Sequence, residues 1–487
     1  MSSDVIWRGI WAAVLALSFA FVVYQRDDQQ INGSPVDSKR PRYAPYIDPW
    51  LLPTYVILLS LLAYSIDKDF RILEEIFYIC MGIFVHMSLY YVILAVTMPW
   101  LRRWAGSRVC ASLWILPNYL YIGLLGFMEP SVPAWVICIP HGMGKVICLV
   151  WLVGFVAVLT YYIGSHLWFR HLVLKKAEPV TDPTALSLWG QEQTRAKISK
   201  RNFPLVRSGL VNTPMTIGLF RGAMKVVLPE RSYTEQELTL ILRHEIIHIG
   251  LQDSWNKFFL AFCTAMCWFN PLMWMAKKRC AQDIELSCDE TVLIHGDEEQ
   301  KKQYAQLLLK TAGDDRGFTT CLSSSAASLR YRLQNVMGQS INRPVGGVIA
   351  GLVFFGLIMT SGYIRFAYQH GTLQDVLYQK NISQYEITRC YLYKDYRSEP
   401  LGCIDSEQLL IYLGDFTISK LAGDEDGIQD GIYLQVHLKD GEEYAYVTLR
   451  ERSITVFESQ RSDKSEKYYL WDPVDWDYIE TLLKTAE

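Results

Sequence analysis

The sequence predicts a multi-pass α-helical membrane protein with an α+β domain before its last apolar segment and a small β-rich domain at its C-terminus. Three observations predict this fold class. Apolar segments crowd the first 170 of 487 residues, and a spanning helix needs roughly 20 such residues. A more polar region with two helical motifs follows, and it ends at another apolar segment near residue 345. The tail beyond alternates apolar and polar residues, as half-buried strands do.

Six apolar segments are predicted to span the membrane. They cover residues 5–24, 50–66, 76–96, 110–127, 146–169 and 345–363. The second and fourth are short for a span and contain Pro53 and Pro117. The first lacks the basic flank and the small-residue cleavage site of a signal peptide, so we expect it to be a helix of the protein.

Basic residues in the short loops predict the orientation of these spans. They concentrate in the first loop, in the third loop and after the fifth span: Arg26, Lys39, Arg40, Arg42, Arg102, Arg103, Arg108, Arg170, Lys175 and Lys176. This alternation predicts an outside N-terminus and an outside tail. The predicted domains are a membrane domain of about five helices over 1–169, a cytoplasmic domain over 170–344, a final helix over 345–365 and an extracellular domain over 366–487.

Charge and cysteine usage restrict the functions that these domains can have. Residues 367–487 hold 23 acidic against 12 basic residues, while the whole chain has a net charge of −3. No basic face indicates direct contact with nucleic acid. The eleven cysteines contain no CxxC pair, so neither a cysteine-based zinc site nor a disulfide framework is predicted. Cys390 and Cys403 could form a disulfide if the tail is extracellular, and two separate thiols are the equal alternative.

A zinc-binding pattern lies in the apolar helical run over residues 238–250. His244 and His248 are four residues apart, so their side chains share one face of a helix. Two imidazoles in this arrangement can hold one Zn²⁺, and Glu245 beside them can deprotonate a water bound to the metal. The spacing predicts a metallopeptidase site with Glu245 as general base.

A second helical motif supplies the third ligand that a catalytic zinc site needs. Glu285 and Asp289 are again four residues apart within 283–290. We expect Glu285 to bind the metal and Asp289 to orient one of the histidines by accepting its other ring N–H, with Asp253 as another candidate for that role. The alternative for all three is a solvated helix face.

The apolar stretch between the two motifs, residues 258–275, resembles another span. A full crossing would separate His248 from Glu285, which have to meet at one ion. Asn270-Pro271 is predicted to break the helix there, so the chain forms a hairpin that is buried or dips into the membrane.

These residues make the chain resemble the BlaR/MecR-type antirepressor membrane metallopeptidases, over roughly residues 145–366. The resemblance is carried by Pro214-Met215-Thr216-Ile217-Gly218-Leu219, Val226-Val227-Leu228-Pro229, His244-Glu245-Ile246-Ile247-His248 with Asp253, Trp268-Phe269-Asn270-Pro271-Leu272-Met273-Trp274, Glu285 with Cys288-Asp289-Glu290, Tyr304-Ala305 with Leu308-Leu309, and Ser328-Leu329-Arg330-Tyr331-Arg332-Leu333.

The resemblance implies a cytoplasmic gluzincin-type (zincin) protease in a bacterial cell membrane, with Zn²⁺ on His244, His248 and Glu285. It also implies an extracellular ligand as signal, self-cleavage, and relief of a winged-helix repressor in the regulation of antibiotic resistance. A self-cleavage site is expected within 313–328. The sequence departs from the β-lactam sensors in its smaller tail, which contains neither SxxK nor KTG, so the ligand is expected to differ.

Two other functions fit part of the pattern, and a homodimer is compatible with the sequence. A housekeeping membrane gluzincin of the CAAX-protease or HtpX type uses a similar ligand pairing, but it does not explain the separate tail. A receptor with a purely structural zinc fold would need no Glu245.

Overall fold

The computed structural model places helices in five of the six predicted apolar segments. The residues that the structure describes are 3–32, 50–67, 70–124, 130, 133–139, 143–198, 203–311, 326–337, 345–380, 382, 385–394, 397–403, 406–421, 432–440, 443–458 and 466–485. The five helices are α1 (Ser3–Asn32), α2 (Leu51–Asp67), α3 (Phe70–Ala105), α5 (Gly144–Lys175) and α12 (Val345–Thr360). Among described residues, α1, α3 and α5 contain stretches long and apolar enough to cross a membrane, whereas α2 and α12 hold shorter apolar stretches.

The prediction of a single spanning helix over 110–127 is wrong. The described part of this segment forms the short helix α4 (Ser107–Leu113), a turn, and a 3-10 helix over Leu116–Leu124. Pro117 cannot continue an α-helix from the preceding turn. Leu113, Trp114 and Leu116 are completely buried against the neighbouring helices. The segment is therefore a broken helix that packs against protein, and it connects the end of α3 with β1.

Helices α1 and α12 pack closely because small residues line their contact. A Cβ atom placed on Gly351 would lie 2.8 Å from the Cβ atom of Ala20 and 3.1 Å from the carbonyl oxygen of Ala16. Backbones of apolar helices approach this closely only where side chains are small. At the far end of α12, Arg8 donates to the carbonyl oxygens of Ile358 and Ser361. The start of α1 and the end of α12 thus lie together.

The region between α5 and α12 is an α+β unit. Its four-stranded sheet has the order β2-β3-β5-β4, with β2 (Glu178–Pro179), β3 (Leu205–Arg207), β4 (Met215–Ile217) and β5 (Lys225–Leu228). Its helices are α6 (Pro183–Arg195), α7 (Glu235–Leu251), α8 (Asp253–Met266), α9 (Pro271–Val292), α10 (Glu298–Thr311) and α11 (Ala326–Met337). α5 runs through residue 170 and ends three residues before β2, so the membrane helix leads directly into the sheet.

The tail is β-rich, as predicted. It contains β6 (Ile364–Thr372), β7 (Glu386–Lys394), β8 (Arg397–Cys403), β9 (Thr417–Leu421), β10 (Tyr433–Asp440), β11 (Glu443–Arg450), β12 (Ser453–Glu458), β13 (Glu466–Leu470) and β14 (Leu483–Thr485), with the helices α13 (Leu373–Gln379), α14 (Ser406–Gly414) and α15 (Trp476–Leu482). β10 and β11 form the predicted hairpin, in which Asp440 pairs with Glu443. Their alternating burial supplies apolar residues to a core that β7, β12, α13 and α14 complete.

One strand of the tail's sheet comes from the membrane region. β1 (Trp135–Cys138), which precedes α5, pairs in parallel with β6, with Trp135 opposite Ile364. The sheet order is β1-β6-β9-β13-β12-β11-β10-β7-β8-β14. The loop before α5 and the tail therefore lie on the same side of the helices.

Candidate metal centre

The first half of the site is built on α7, whose ends are fixed by local sequence. Thr234 and Glu237 form a capping box: the Thr234 hydroxyl accepts from the Glu237 N–H at 3.2 Å, and the Glu237 carboxylate accepts from the Thr234 N–H at 3.0 Å. The helix presents His244 and His248 on one face, one turn apart. Their Nε2 atoms are 3.0 Å apart.

A sharp turn after α7 brings Asp253 back onto His248. Gln252, the residue between α7 and α8, has φ 57° and ψ 40°, in the left-handed region that non-glycine residues seldom adopt. The turn places the Asp253 carboxylate 2.5 Å from Nδ1 of His248. A buried carboxylate at this distance accepts the Nδ1 proton, so the lone pair of Nε2 remains available to a metal.

The second half of the site reaches the first through the hairpin of α8 and α9. Asn270 caps α9 by accepting from the Leu272 N–H at 3.0 Å, and Pro271 occupies the first turn. The predicted helix break at Asn270-Pro271 is therefore confirmed. The hairpin returns the chain to α7 and brings Glu285 to the two histidines.

The donor atoms of these three residues match the spacing of a tetrahedral zinc site. Oε2 of Glu285 is 3.5 Å from Nε2 of His244 and 3.7 Å from Nε2 of His248. Ligand atoms about 2.0–2.1 Å from zinc in a tetrahedral arrangement are about 3.3 Å apart. The measured separations of 3.0, 3.5 and 3.7 Å surround that value, so these side chains fit a divalent ion of this size.

Tyr304 and Asp289 fix the orientation of His244. The Tyr304 hydroxyl donates to Oδ1 of Asp289 at 2.7 Å and is 2.9 Å from Nδ1 of His244. Burial, with the Asp289 carboxylate, raises the pKa of Tyr304 well above its ordinary value, so the hydroxyl keeps its proton. Since that proton is directed at Asp289, Nδ1–H of His244 donates to the hydroxyl oxygen, and Nε2 carries the free lone pair.

Two cations hold the Glu285 carboxylate in its ionised form. Lys257 lies 3.3 Å from Oε1 of Glu285, and Arg332 lies 3.7 Å from Oε2. Burial alone would raise the pKa of Glu285, but the Lys257 ammonium lowers it well below its ordinary value. Arg332 also binds both oxygens of Asp289, at 2.6 and 2.7 Å. An ionised carboxylate is the form that binds a metal.

Glu245 points to the sheet side of the same helix. Its Oε2 atom accepts from the Thr216 hydroxyl at 2.8 Å, and its side chain is buried. Thr216 lies on β4, which is an edge strand of the four-stranded sheet in the described region. The contact fixes a carboxylate between the histidine helix and a strand edge.

Cys288 is a second candidate for the third donor. Its sulfur lies 3.3 Å from Nδ1 of His244, and the donor atoms of His244, His248 and Cys288 all lie within 4.8 Å of one another. The thiol faces the Nδ1 side of His244 and also donates to the His244 carbonyl oxygen at 3.3 Å. Glu285 faces the Nε2 atoms, which is the side where both imidazoles converge.

The structure thus brings His244, His248, Glu285, Asp253 and Asp289 together. Sequence reasoning assigned no role to the further contributors Tyr304, Arg332, Lys257, Thr216 and Cys288. All of these except Lys257 belong to the motifs that carry the family resemblance. That resemblance is the signal in the sequence that could have identified them.

The predicted disulfide lies outside the site and stays a prediction. Cys390 of β7 is paired with Leu401 of β8, two residues from Cys403, whose side chain is outside the described residues. Most of the expected self-cleavage segment, 313–328, also lies outside them.

Comparisons with known proteins find one matching family and several relatives. Residues 139–336 match the family described as BlaR1 peptidase M56. The regulatory protein BlaR1 of Bacillus licheniformis is 27% identical over 185 residues, 38% of this chain and 30% of that protein. The methicillin resistance mecR1 proteins of Staphylococcus aureus and Staphylococcus epidermidis are 25% identical over 168 residues, 34% of this chain and 28% of theirs. This chain therefore matches less than a third of the length of each relative. Residues 139–336 therefore match a BlaR1 peptidase M56 domain, which indicates a metallopeptidase, and part of the chain is similar to the BlaR1 and mecR1 proteins.

Proposed function

We propose that the chain is a membrane zinc metalloendopeptidase of the gluzincin type that converts an extracellular signal into cytoplasmic peptide-bond hydrolysis. The observation that carries the proposal is the convergence of Nε2 of His244, Nε2 of His248 and Oε2 of Glu285 at separations of 3.0 to 3.7 Å. These three residues are the proposed ligands. Asp253 and Asp289 are the proposed orienting carboxylates.

Each side chain has a defined part in the proposed hydrolysis. A zinc ion held there supplies the Lewis acidity that activates a water and polarises a carbonyl group. Glu245 accepts the proton of the attacking water and returns it to the amine that leaves. The Thr216 hydroxyl holds the Glu245 carboxylate in place, and Asp253 keeps His248 in the tautomer that leaves Nε2 free.

The edge of β4 is the proposed docking surface for the polypeptide substrate. Extended peptides commonly bind by adding a strand to an exposed sheet edge, where backbone hydrogen bonds give affinity without a sequence requirement. Thr216 lies on this edge and contacts Glu245, so a strand added there would pass the general base. This arrangement suits an endopeptidase that binds its substrate in an extended conformation.

The proposed topology places the peptidase region over 170–344 in the cytoplasm and the tail over 366–487 outside a bacterial cell. Two contacts support a shared side for the N-terminus, the loop before α5 and the tail: Arg8 binds the end of α12, and β1 pairs with β6. The basic residues in the loops support the assignment of this side to the outside. In this topology the broken segment between α3 and β1 also crosses the membrane.

Cys138 offers a test of this sidedness. It is exposed on β1, whereas the other cysteines whose side chains the structure describes are buried. We expect a membrane-impermeant maleimide to label intact cells at Cys138 and to lose that label in Cys138→Ser. Labelling of Cys138 only after the membrane is broken would contradict the topology, and peptide mapping would separate it from labelling at Cys321 or Cys403.

The proposed output is self-cleavage together with relief of a winged-helix transcriptional repressor. The BlaR1 and mecR1 names of the relatives concern regulation and methicillin resistance, and the matched region is the one that contains the peptidase site. The tail shares no SxxK or KTG motif with β-lactam sensors, so the signal we propose is a different extracellular ligand. Regulation of antibiotic resistance through that signal is the proposed role.

Elemental analysis and mass spectrometry test the proposal together. The full-length protein purified in detergent should contain about one zinc per chain. In cells that overproduce the chain, mass spectrometry should find fragments ending within 313–328, and a membrane-permeable zinc chelator should suppress them. The absence of a stoichiometric transition metal from the purified protein would overturn the peptidase assignment. A protein that contains zinc but is found only as the intact chain would refute self-cleavage.

A further inference from the structure

The last turn of α3 contacts α9, the helix that carries Glu285. Arg102, in the last turn of α3, forms an ion pair with Asp283 of α9. Trp114, just after α4, donates its indole N–H to the other carboxylate oxygen of Asp283 at 2.7 Å. Asp283 and Trp114 are fully buried. Both oxygens of this carboxylate are therefore bound by groups outside the peptidase sheet and its helices.

Arg102, Trp114 and Asp283 form a clamp on α9. This clamp lies on the face of α9 opposite the metal centre. Asp283 and Glu285 are two residues apart, which is about 200° around an α-helix. α9 therefore lies between the clamp on one face and the histidines of α7 on the other. Further contacts fix its position along its axis: Arg279 donates to the carbonyl oxygen of Ala95 at 2.5 Å, and Glu290 accepts from the Ser107 N–H at 3.1 Å.

Arg102 also contacts α11, through Tyr331. Its guanidinium lies over the Tyr331 ring, 4.9 Å from the centroid, and donates to the Tyr331 hydroxyl. Tyr331 is the neighbour of Arg332, which binds Asp289 and approaches Glu285. One side chain of α3 thus contacts both α9 and α11.

A buried ion pair is weak evidence of a contribution to stability, because desolvation costs about as much as the charges gain by attraction. Together with the directional hydrogen bond from Trp114 to the same carboxylate, the ion pair is better suited to fixing one arrangement of helices. We infer that Arg102 and Asp283 are positioning residues, which set the location of the Glu285 carboxylate relative to the two histidines. This inference rests on the proposed function. It makes the inner end of α3 a determinant of metal geometry.

Metal binding to three variants tests this inference. The full-length protein would be prepared in detergent as wild type, Arg102→Met, Asp283→Asn and the double variant, with Arg103→Met as the matched control on the exposed side of α3. Zinc affinity is measured by competition with a chromophoric chelator, and ligand geometry by the visible spectrum of the Co²⁺-loaded protein. Thermal unfolding is followed in parallel. We expect roughly a 10–100-fold loss of zinc affinity, as for residues that orient ligands, and an altered cobalt spectrum.

The double variant separates positioning from folding. Arg102→Met leaves the buried Asp283 carboxylate without its cation, and Asp283→Asn leaves the part-buried Arg102 without its anion. The double variant removes both charges and should recover thermal stability. Positioning predicts that the double variant regains stability while its zinc affinity and cobalt spectrum stay altered. The inference would be overturned if the double variant recovered thermal stability, zinc affinity and the cobalt spectrum together. Wild-type metal binding in every variant would overturn it as well. A wild-type protein that binds neither zinc nor cobalt would instead refute the proposed function.

Discussion

Glu245→Gln is expected to reduce peptide hydrolysis by about 100 to 10,000-fold, the range that a general base contributes, while zinc content stays at the wild-type level. Glu245 is not among the three converging donors, and glutamine can still accept the hydrogen bond from Thr216. The measurements are fragment formation by mass spectrometry and zinc by elemental analysis on the same samples. In cells, transcripts that depend on the wild-type chain should not respond in the variant.

Glu235→Gln is the matched control for this variant. It removes a carboxylate from the first turn of the same helix, where the side chain is exposed and far from the histidines. It should leave hydrolysis and zinc content unchanged. Full hydrolysis by Glu245→Gln would refute the role of general base, and loss of zinc from that variant would make Glu245 part of the ligand set.

Glu285→Gln and Cys288→Ala should have opposite consequences for zinc. Oε2 of Glu285 faces both Nε2 atoms, whereas the Cys288 sulfur faces Nδ1 of His244. We expect Glu285→Gln to weaken zinc binding by more than about 100-fold, since it changes a ligand and not a residue that orients one. Cys288→Ala should retain zinc. Chelator competition on the purified full-length proteins measures both.

The comparison needs evidence that each variant is folded. Glu285→Gln leaves Lys257 and Arg332 near an uncharged side chain, so circular dichroism and thermal unfolding should accompany the titrations. Retained zinc in Glu285→Gln with loss in Cys288→Ala would reverse the assignment and define His244, His248 and Cys288 as the ligands.

The parts of the site that sequence predicted are those encoded locally. The spacing of His244 and His248, the break at Asn270-Pro271 and the pair Glu285 and Asp289 depend on helix periodicity and on caps, which involve residues within a few positions. The same rules predicted the β10–β11 hairpin. Local patterns suffice where the interacting residues are neighbours along the chain.

Other features depended on contacts that no local pattern encodes. Tyr304 meets His244, and Arg102 meets Asp283, only because the tertiary fold brings distant helices together. The break in the helix predicted over 110–127 was missed because hydropathy indicates an apolar segment and not whether its backbone forms one continuous α-helix. A four-residue strand such as β1 carries too little periodicity to be predicted before its partner is known.

The parallel pairing of β1 with β6 has a practical consequence for the isolation of the β-rich tail. A fragment cut at residue 364 would lose the strand that covers one side of β6, and its exposed backbone N–H and C=O groups would become a template for aggregation. A recombinant tail should include residues 133–139 joined by a flexible linker, or carry a charged substitution on the exposed edge of β6. Ligand screens run on the bare fragment would otherwise sample a sheet whose outermost member is missing.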